Sequence, residues 1–461
     1  MKILFILNNF IIEPLGPMML STELKRHCHF VNVLKYDGRN HEEVKSRVEA
    51  LKPDILAYSC TTGCHSEFIK LNRYVKRPGI ISIMGGPHCT FFPEVLLENG
   101  IDVIFRGECE DTLPLFCDRY EKEKEIPYDI QGTWVKRQGF ALSKNELQRL
   151  PENLDAFEPD RELIYRYPQN LSNKVRNFLG IRGCPYSCSF CYNSTYHSLY
   201  DSSKRMRYKT PEVYIDEIKR TVKRWPTGLV YFQEDNILSN REWFVKFMTM
   251  YRDEVKLPSH VHFNVNSVRR DDIKLLKEAR CISCTFSPEM GCEEIRFRLL
   301  DKRTSNKKII SVAENLKKFG IKFRTENILG LPIENSLRAD FNTYEFNKKI
   351  VPDVPWASLY IPFPGTKLGN FCINNGYFNV KDMDELPKSF FESSPLKNLP
   401  HKKLQQRLQS IFPLCVRLRV PKFIVSILIR LPFDKFYAYI YKKYKEYLYD
   451  EILYKTQGVV T

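Results

Sequence analysis

The 461-residue sequence lacks any run of about 18 uninterrupted apolar residues, so no segment reads as a membrane-spanning helix. It also lacks a secretory cleavage site. The apolar opening from Lys2 to Leu7 stops at Asn8-Asn9, and Glu13-Pro14 follow without the small residues such a site needs. That opening therefore reads as a buried first strand, and the expected compartment is the cytoplasm. Fourteen cysteines in a reducing compartment are metal ligands or buried thiols sooner than disulfides. An acidic excess is missing as well: 71 Lys and Arg stand against 55 Asp and Glu. Residues 1–150 balance at 20 basic and 20 acidic, whereas residues 396–461 hold 13 and 4. Much of the surplus is thus a property of the tail, and the whole chain does not read as a nucleic-acid binder. Hydrophobic residues at 43% and charged ones at 27% describe a globular protein of two to four domains.

Short apolar runs at 2–7, 31–34, 54–58, 80–84 and 101–105 alternate with helix-length segments at 17–27, 41–51, 65–76, 91–98 and 111–121. This alternation predicts an α/β fold with a doubly wound, Rossmann-like parallel sheet covered on both faces. Ligands of such sheets sit beyond the carboxyl ends of the strands, which here are the loops 8–17, 59–65, 85–90 and 106–110. A hairpin is expected around 134–140 with its turn near Gly139. A Pro- and charge-rich stretch from Leu150 to Asp160 precedes the domain boundary.

The order Gly85-Gly86-Pro87-His88-x-Thr90-x-Phe92-x-Glu94, followed by Asp102-Val103 and Arg106-Gly107-Glu108-x-Glu110, resembles the cobalamin-binding domain fused to radical S-adenosylmethionine (SAM) enzymes. Pro14-Leu15-Gly16 fits the same pattern. The resemblance implies cobalamin contacts at Pro14, Leu15, Gly16, Ser59, Thr61, Gly85, Gly86, Pro87 and Glu108. The Asp-x-His-x-x-Gly signature that supplies a cobalt ligand in other cobalamin proteins is absent, which implies a site without protein histidine ligation. Cys60, Cys64, Cys89 and Cys109 fall in loops at the same strand ends. They are either buried thiols or a second metal or iron–sulfur site.

The chemistry is concentrated in Cys184-x-x-x-Cys188-x-x-Cys191. Three thiolates so close in sequence converge if the loop wraps one compact object. An iron–sulfur cube takes four ligands, so three leave one iron open to a chelating substrate. Zinc competes, with His197 as a distant fourth ligand. With Phe190 just before the third cysteine, the motif resembles the hallmark of the radical SAM superfamily. The resemblance implies that Cys184, Cys188 and Cys191 hold a 4Fe–4S cluster whose open iron binds SAM. It further implies SAM contacts at Phe190, Glu234, Asp235, Asn266, Glu289, Gly330 and Pro332. Strands at 177–181, 229–232, 261–265, 282–287, 325–329 and 357–361 predict a partial (β/α)6 barrel with its functional groups at the strands' carboxyl ends. Cys281, Cys284 and Cys292 read as buried thiols and not as an auxiliary cluster. No catalytic side chain is singled out.

Residues 402–461 read as helix interrupted at Pro413, Pro421 and Pro432, with tyrosines from Tyr437 to Tyr454 alternating with lysines. They form either a cap on the barrel with lysines turned outward or a peripheral membrane contact. The expected organisation is a cobalamin-binding-like domain at 1–125, a connector at 126–170, a radical SAM partial barrel at 171–375 and a basic helical region at 376–461. The expected activity is radical modification of an unactivated carbon, with cobalamin-dependent methyl transfer leading. The alternatives are cobalamin-independent rearrangement, cyclisation or sulfur insertion, and a non-catalytic cobalamin- or cluster-binding sensor. Expected partners are a small-molecule or peptide substrate and a one-electron reductant of flavodoxin or ferredoxin type.

Overall fold

The computed structural model describes residues 1–8, 12–137, 142–200, 206–387 and 393–447. The expected turn at Gly139 and the tyrosines Tyr449 and Tyr454 lie outside the described residues. The chain divides into two compact units, residues 1–172 and residues 173–461.

In the first unit, strands β1 (Lys2–Asn8), β2 (Phe30–Tyr36), β3 (Ile55–Ser59), β4 (Ile81–Gly85) and β5 (Val103–Phe105) are all parallel, in the order β2-β1-β3-β4-β5. They are interleaved with helices α1 (Leu15–Arg26), α2 (His41–Leu51), α3 (His65–Val75), α4 (Pro87–Phe91) and α5 (Thr112–Glu123). Covering both faces explains why the strands are near-continuous apolar runs; Ile3 to Leu7 and Ile55 to Tyr58 are all buried. The order reverses direction between β1 and β3, which makes the loops after those strands the topological switch point. Two antiparallel strands, β6 (Thr133–Lys136) and β7 (Leu142–Lys144), extend the sheet beyond β5. The helix expected at 91–98 is instead α4 followed by a 3-10 turn at Pro93–Leu97. Pro93 has no N–H and keeps Phe92 out of the helical region (φ −130°, ψ 65°), so one helix cannot run through. The segment before residue 172 folds onto this unit, where buried Arg161 pairs with buried Glu13 at 2.7 Å.

The second unit is built on six parallel strands, β8 (Val175–Phe178), β11 (Leu229–Phe232), β12 (Ser259–His262), β13 (Cys281–Glu289), β14 (Lys322–Leu329) and β15 (Val354–Leu359), ordered as they occur in sequence. A small antiparallel pair, β9 (Ile181–Arg182) and β10 (Arg207–Tyr208), stands apart. One face of the sheet packs against helices to form a core that includes Tyr214, Phe232, Phe247, Leu276, Phe323 and Leu316. Cys281 and Cys284 are buried in that core, and Cys292 is half-buried. β12 ends three residues before the expected strand at 261–265 does, which gives Phe263 to Val265 to a loop.

The tail forms three helices, Lys402–Arg417, Lys422–Leu428 and Asp434–Tyr447. The interruption expected at Pro413 is not there: Pro413 sits inside the first of them. Its neighbours Leu408, Ile411, Phe412 and Val416 are buried against Tyr344, Ala357 and Leu359. That packing outweighs the hydrogen bond the proline removes. Gln409 Nε2 also donates to the carbonyl of Ala357 at 3.0 Å, tying the tail to the edge strand of the barrel.

Candidate active site

The three-cysteine loop follows β9 through Gly183, whose φ of +100° lets the chain turn back sharply. Its shape is fixed by Ser189, a residue between the cysteines. Ser189 donates its N–H to the carbonyl of Leu300 at 3.0 Å and its hydroxyl to that of Leu299 at 2.5 Å. Its own carbonyl accepts from the N–H of Leu368 at 2.8 Å. Cys184, Cys188 and Cys191 are half-buried and line one cavity of about 660 Å³. Among the described residues no three His, Cys, Asp or Glu close on a point suited to a single metal ion. The donor set is three thiols spread around a cavity with no fourth cysteine in its lining, which fits a cluster with one open corner better than a zinc ion. Burial pushes the Cys184 thiol up to about 11 and the Cys191 thiol up to about 12. Burial also raises Cys188, with Lys302 pulling the other way. Cluster ligation requires thiolates, so loading releases these protons.

The acidic pair after β11 divides its roles. Both residues line the cavity, and Asp235 accepts from Asn193 Nδ2 at 3.0 Å. Glu234 has no exposed surface: its Oε1 accepts from the N–H of Gly180 at 2.8 Å and from the hydroxyl of Tyr214 at 2.7 Å. Burial pushes its carboxyl up to about 7. Glu234 thus fastens the start of the cluster loop to the barrel. Gly180 is required there, because a Cβ would lie 2.3 Å from the Tyr214 ring.

Glu289 ends β13 in a left-handed conformation (φ +62°), just where the pairing with β14 slips. Such a conformation in a residue other than glycine is typical of sites where the surroundings dictate geometry. Its partner is Lys302, at 2.7 Å; both side chains are about nine-tenths buried and both line the cavity. Burial opposes the charge on Lys302, but Glu289, Cys188 and Glu326 outweigh it and raise its pKa. Phe190 lines the same cavity. Asn266 does not; its side chain donates to the carbonyl of Arg303, and Asn264 lines the cavity in its stead. Gly330 and Pro332 are also outside the lining. The N–H of Gly330 is spent on the buried carboxylate of Asp340, which Gln405 of the tail holds from the other side at 2.9 Å.

The floor of the cavity is a polar layer that the motifs did not reveal. His262, Thr285, Ser287, Arg324, Glu326 and Trp356 all face it. Arg324 pairs with Glu326 and lies over the Trp356 ring, 5.0 Å from its centroid. Ser287 donates to Glu326 at 3.2 Å. The hydroxyl of Tyr231 is 2.9 Å from His262 Nε2, and burial lowers His262 to about 4, so it is neutral at pH 7. The signal was present in the sequence as polar residues at every second position of strands, such as Arg324 and Glu326 in β14, where exposure alternates.

In the first unit, the loops after β3, β4 and β5 are tied together. Cys60 N–H donates to Gly85, His88 N–H to Cys60, and Gly107 N–H to the Thr90 hydroxyl. Gly86 (φ +93°) packs so close to the Cys60 backbone that a Cβ would come within 2.9 Å of it. Its glycine thus serves the chain's own packing. Gly85 packs on Phe105, Ser59 is half-buried below, and Glu108 is half-buried. Thr61, Pro87 and Gly16 are exposed, and a Cβ on Gly16 would meet nothing within 4 Å. Pro14 caps α1 and Leu15 is buried beneath it. Cys60, Cys89 and Cys109 are buried, Cys60 and Cys89 within the core of this unit, and Cys64 is half-buried. Burial raises the Cys60, Cys89 and Cys109 thiols above the ordinary range. His65 and His88 stack with ring centroids 3.8 Å apart and are under 4% exposed. Neither is presented outward.

The B12 binding domain family matches residues 1–116, and the Radical SAM superfamily matches residues 179–338. The two domains together make a 4Fe–4S cluster, SAM and cobalamin the cofactors. Over 377 residues the chain is 26% identical to an uncharacterized methyltransferase of Pyrococcus horikoshii, covering 78% of this chain and 79% of that one. It is also 26% identical over 364 residues to the anaerobic magnesium-protoporphyrin IX monomethyl ester cyclase of Cereibacter sphaeroides, covering 74% of this chain and 56% of that relative's length. The fold is similar to that of the radical SAM methyltransferase TsrM from Kitasatospora setae, solved with cobalamin and a [4Fe-4S] cluster bound. The TM-score is 0.67 at 14% identity, over 81% of this chain and 78% of that one.

Proposed function

This chain is a radical SAM superfamily protein with an N-terminal B12 binding domain, and from that premise we propose that it transfers a methyl group to an unreactive carbon. The observation that carries the reading is the cavity itself, where three thiols, Asp235 and the Glu289–Lys302 pair share one lining. The methyltransferase relative from Pyrococcus horikoshii supports the choice of group transferred. When bound, the cluster, SAM and cobalamin supply one-electron cleavage of a carbon–hydrogen bond and a transferable methyl group. Cys184, Cys188 and Cys191 would hold three irons of the cluster. Asp235 offers an acceptor to the SAM ammonium, and Asn193 orients it. The buried Glu289–Lys302 pair keeps a fixed charge arrangement beside the thiols, where water is partly excluded. His262, Ser287, Arg324, Glu326 and Trp356 form the surface against which a small-molecule or peptide substrate rests. His262, being neutral, can exchange hydrogen bonds with that substrate without adding charge. The electron comes from an external reductant of flavodoxin or ferredoxin type.

The test is anaerobic purification from cobalamin-supplied cells, metal counting, and incubation with reductant, SAM and candidate substrates. The expected outcome is about one cobalt and about four irons per chain, with 5′-deoxyadenosine and S-adenosylhomocysteine formed. The cyclase relative supports a second reading, ring closure. A product with a new ring, an unchanged carbon count and no S-adenosylhomocysteine would replace the first reading with it. Iron and cobalt present without any SAM cleavage would overturn both.

A further inference from the structure

The two last helices of the tail are anchored by one face only. Val425, Ile429 and Tyr437 are buried against the first tail helix, beside Leu408 and Phe412. On the outward side, where a surface helix ordinarily carries polar residues, stand Leu418, Phe423, Ile427, Phe433, Phe436 and Tyr439, each more than half exposed. Of the eighteen large hydrophobic residues exposed among the described residues, nine lie between 418 and 447. This is a concentrated patch and not the ordinary scatter of apolar residues on a surface.

The charges around the patch are predominantly basic. Residues 417–444 contain seven Lys and Arg, all exposed, and one acidic residue, Asp434. That aspartate is engaged by Arg407 at 2.6 Å. A second copy of this chain docking the same face in a two-fold pair would set a net +6 against another +6. An anionic bilayer meets both features at once, since its headgroups take the cations and its interface takes the aromatic and aliphatic side chains. The exposed helices have seven and fourteen residues, and among the described residues no helix is long and apolar enough to cross a membrane. The surface would therefore lie on the bilayer and not enter it deeply.

We propose that residues 417–444 form a docking surface for an anionic lipid bilayer, with Phe423, Ile427, Phe433 and Phe436 at the headgroup–acyl boundary and the surrounding lysines and arginines on the headgroups. This reading is independent of the reaction, because vesicle binding is measured without turnover. The experiment is sedimentation of the full-length, cofactor-loaded protein with vesicles of phosphatidylcholine alone or mixed equally with phosphatidylglycerol. The expected result is binding at least about tenfold tighter to the mixed vesicles and weakened by salt. Combined F423E, I427E and F433E substitutions, all at exposed positions, should lower that binding about tenfold or more while iron content and melting temperature stay unchanged. K422Q with R430Q should lower binding to mixed vesicles and remove its salt dependence in part. Three outcomes would overturn the proposal. The wild type could fail to bind mixed vesicles at low salt. Both vesicle types could bind it equally, with the triple variant indifferent. The wild type could self-associate in solution, with the triple variant monomeric and neither binding vesicles, which would give the face to a second copy.

Discussion

The two units place loops at the carboxyl ends of parallel strands, yet what lies beneath those loops differs. Below the rim of the first unit lie stacked His65 and His88 and the thiols of Cys60 and Cys89, all closed off from the surface. Below the cluster loop of the second unit lie charged pairs, Glu289 with Lys302 and Arg324 with Glu326. The difference follows from coverage. A sheet with helices on both faces must bury its strands entirely, so only the loops at the strand ends can meet a ligand. In the second unit one sheet face is turned to a cavity, and β14 alternates buried and half-buried residues along its length. A ligand of the first unit is therefore expected on the loops at the strand ends, whereas one of the second would enter a lined interior.

Substitution of cysteines breaks this contrast most sharply. Changing Cys184, Cys188 or Cys191 to Ala should abolish iron retention and SAM cleavage, a loss of at least about a thousandfold. Changing Cys60 or Cys89 to Ala should leave the iron count alone and cost about 1 kcal/mol of stability; iron analysis and thermal melts decide. Next comes Lys302→Met, which strands a buried Glu289 carboxylate and should cost about 3–5 kcal/mol in chemical denaturation. Gly180→Ala follows, at about 1–3 kcal/mol, because the new methyl meets the Tyr214 ring. Gly16→Ala, in the first unit, should stay within about 0.5 kcal/mol. A smaller cobalt content at unchanged stability would then mark that exposed position as part of the cobalamin surface.

Acid and base sharpen the same comparison. Burial lowers His88 from 6.5 to about 3, so its neutral form is favoured in the fold. The stability this gives is complete above pH 6.5 and is lost as the pH falls towards 3. Glu234 is the reverse case: burial raises it from 4.5 to about 7. Its contribution is complete below pH 4.5 and is lost as the pH rises through 7. Segment-resolved hydrogen exchange should show the first unit loosening on the acid side. Glu234→Gln should flatten the decline of the second unit between pH 5 and 8.

The alternation of runs and helices made the parallel sheets legible, and the cysteine spacing located the cavity. What stayed hidden depended on direction. Glu234 and Asp235 are adjacent, and nothing in the sequence says that one carboxylate turns towards Gly180 and the other towards the cavity. Gly330 reads as part of a binding loop, but its N–H is claimed by Asp340, a residue whose importance comes only from folding. Local propensity predicts a break at Pro413, and the packing of Phe412 and Val416 decides otherwise. The polar floor could have been found, since Arg324 and Glu326 sit at alternate positions of a strand. Position within a strand carries that information, and motif spacing does not.

Ser189 holds the cluster loop entirely through backbone groups of Leu299, Leu300 and Leu368. None of those bonds involves a thiol. The bonds that hold Ser189 are therefore independent of the cluster ligands, and iron loading is expected to be a filling step. Chelation and refilling should be repeatable on one sample, with the polypeptide acting as a reusable mould.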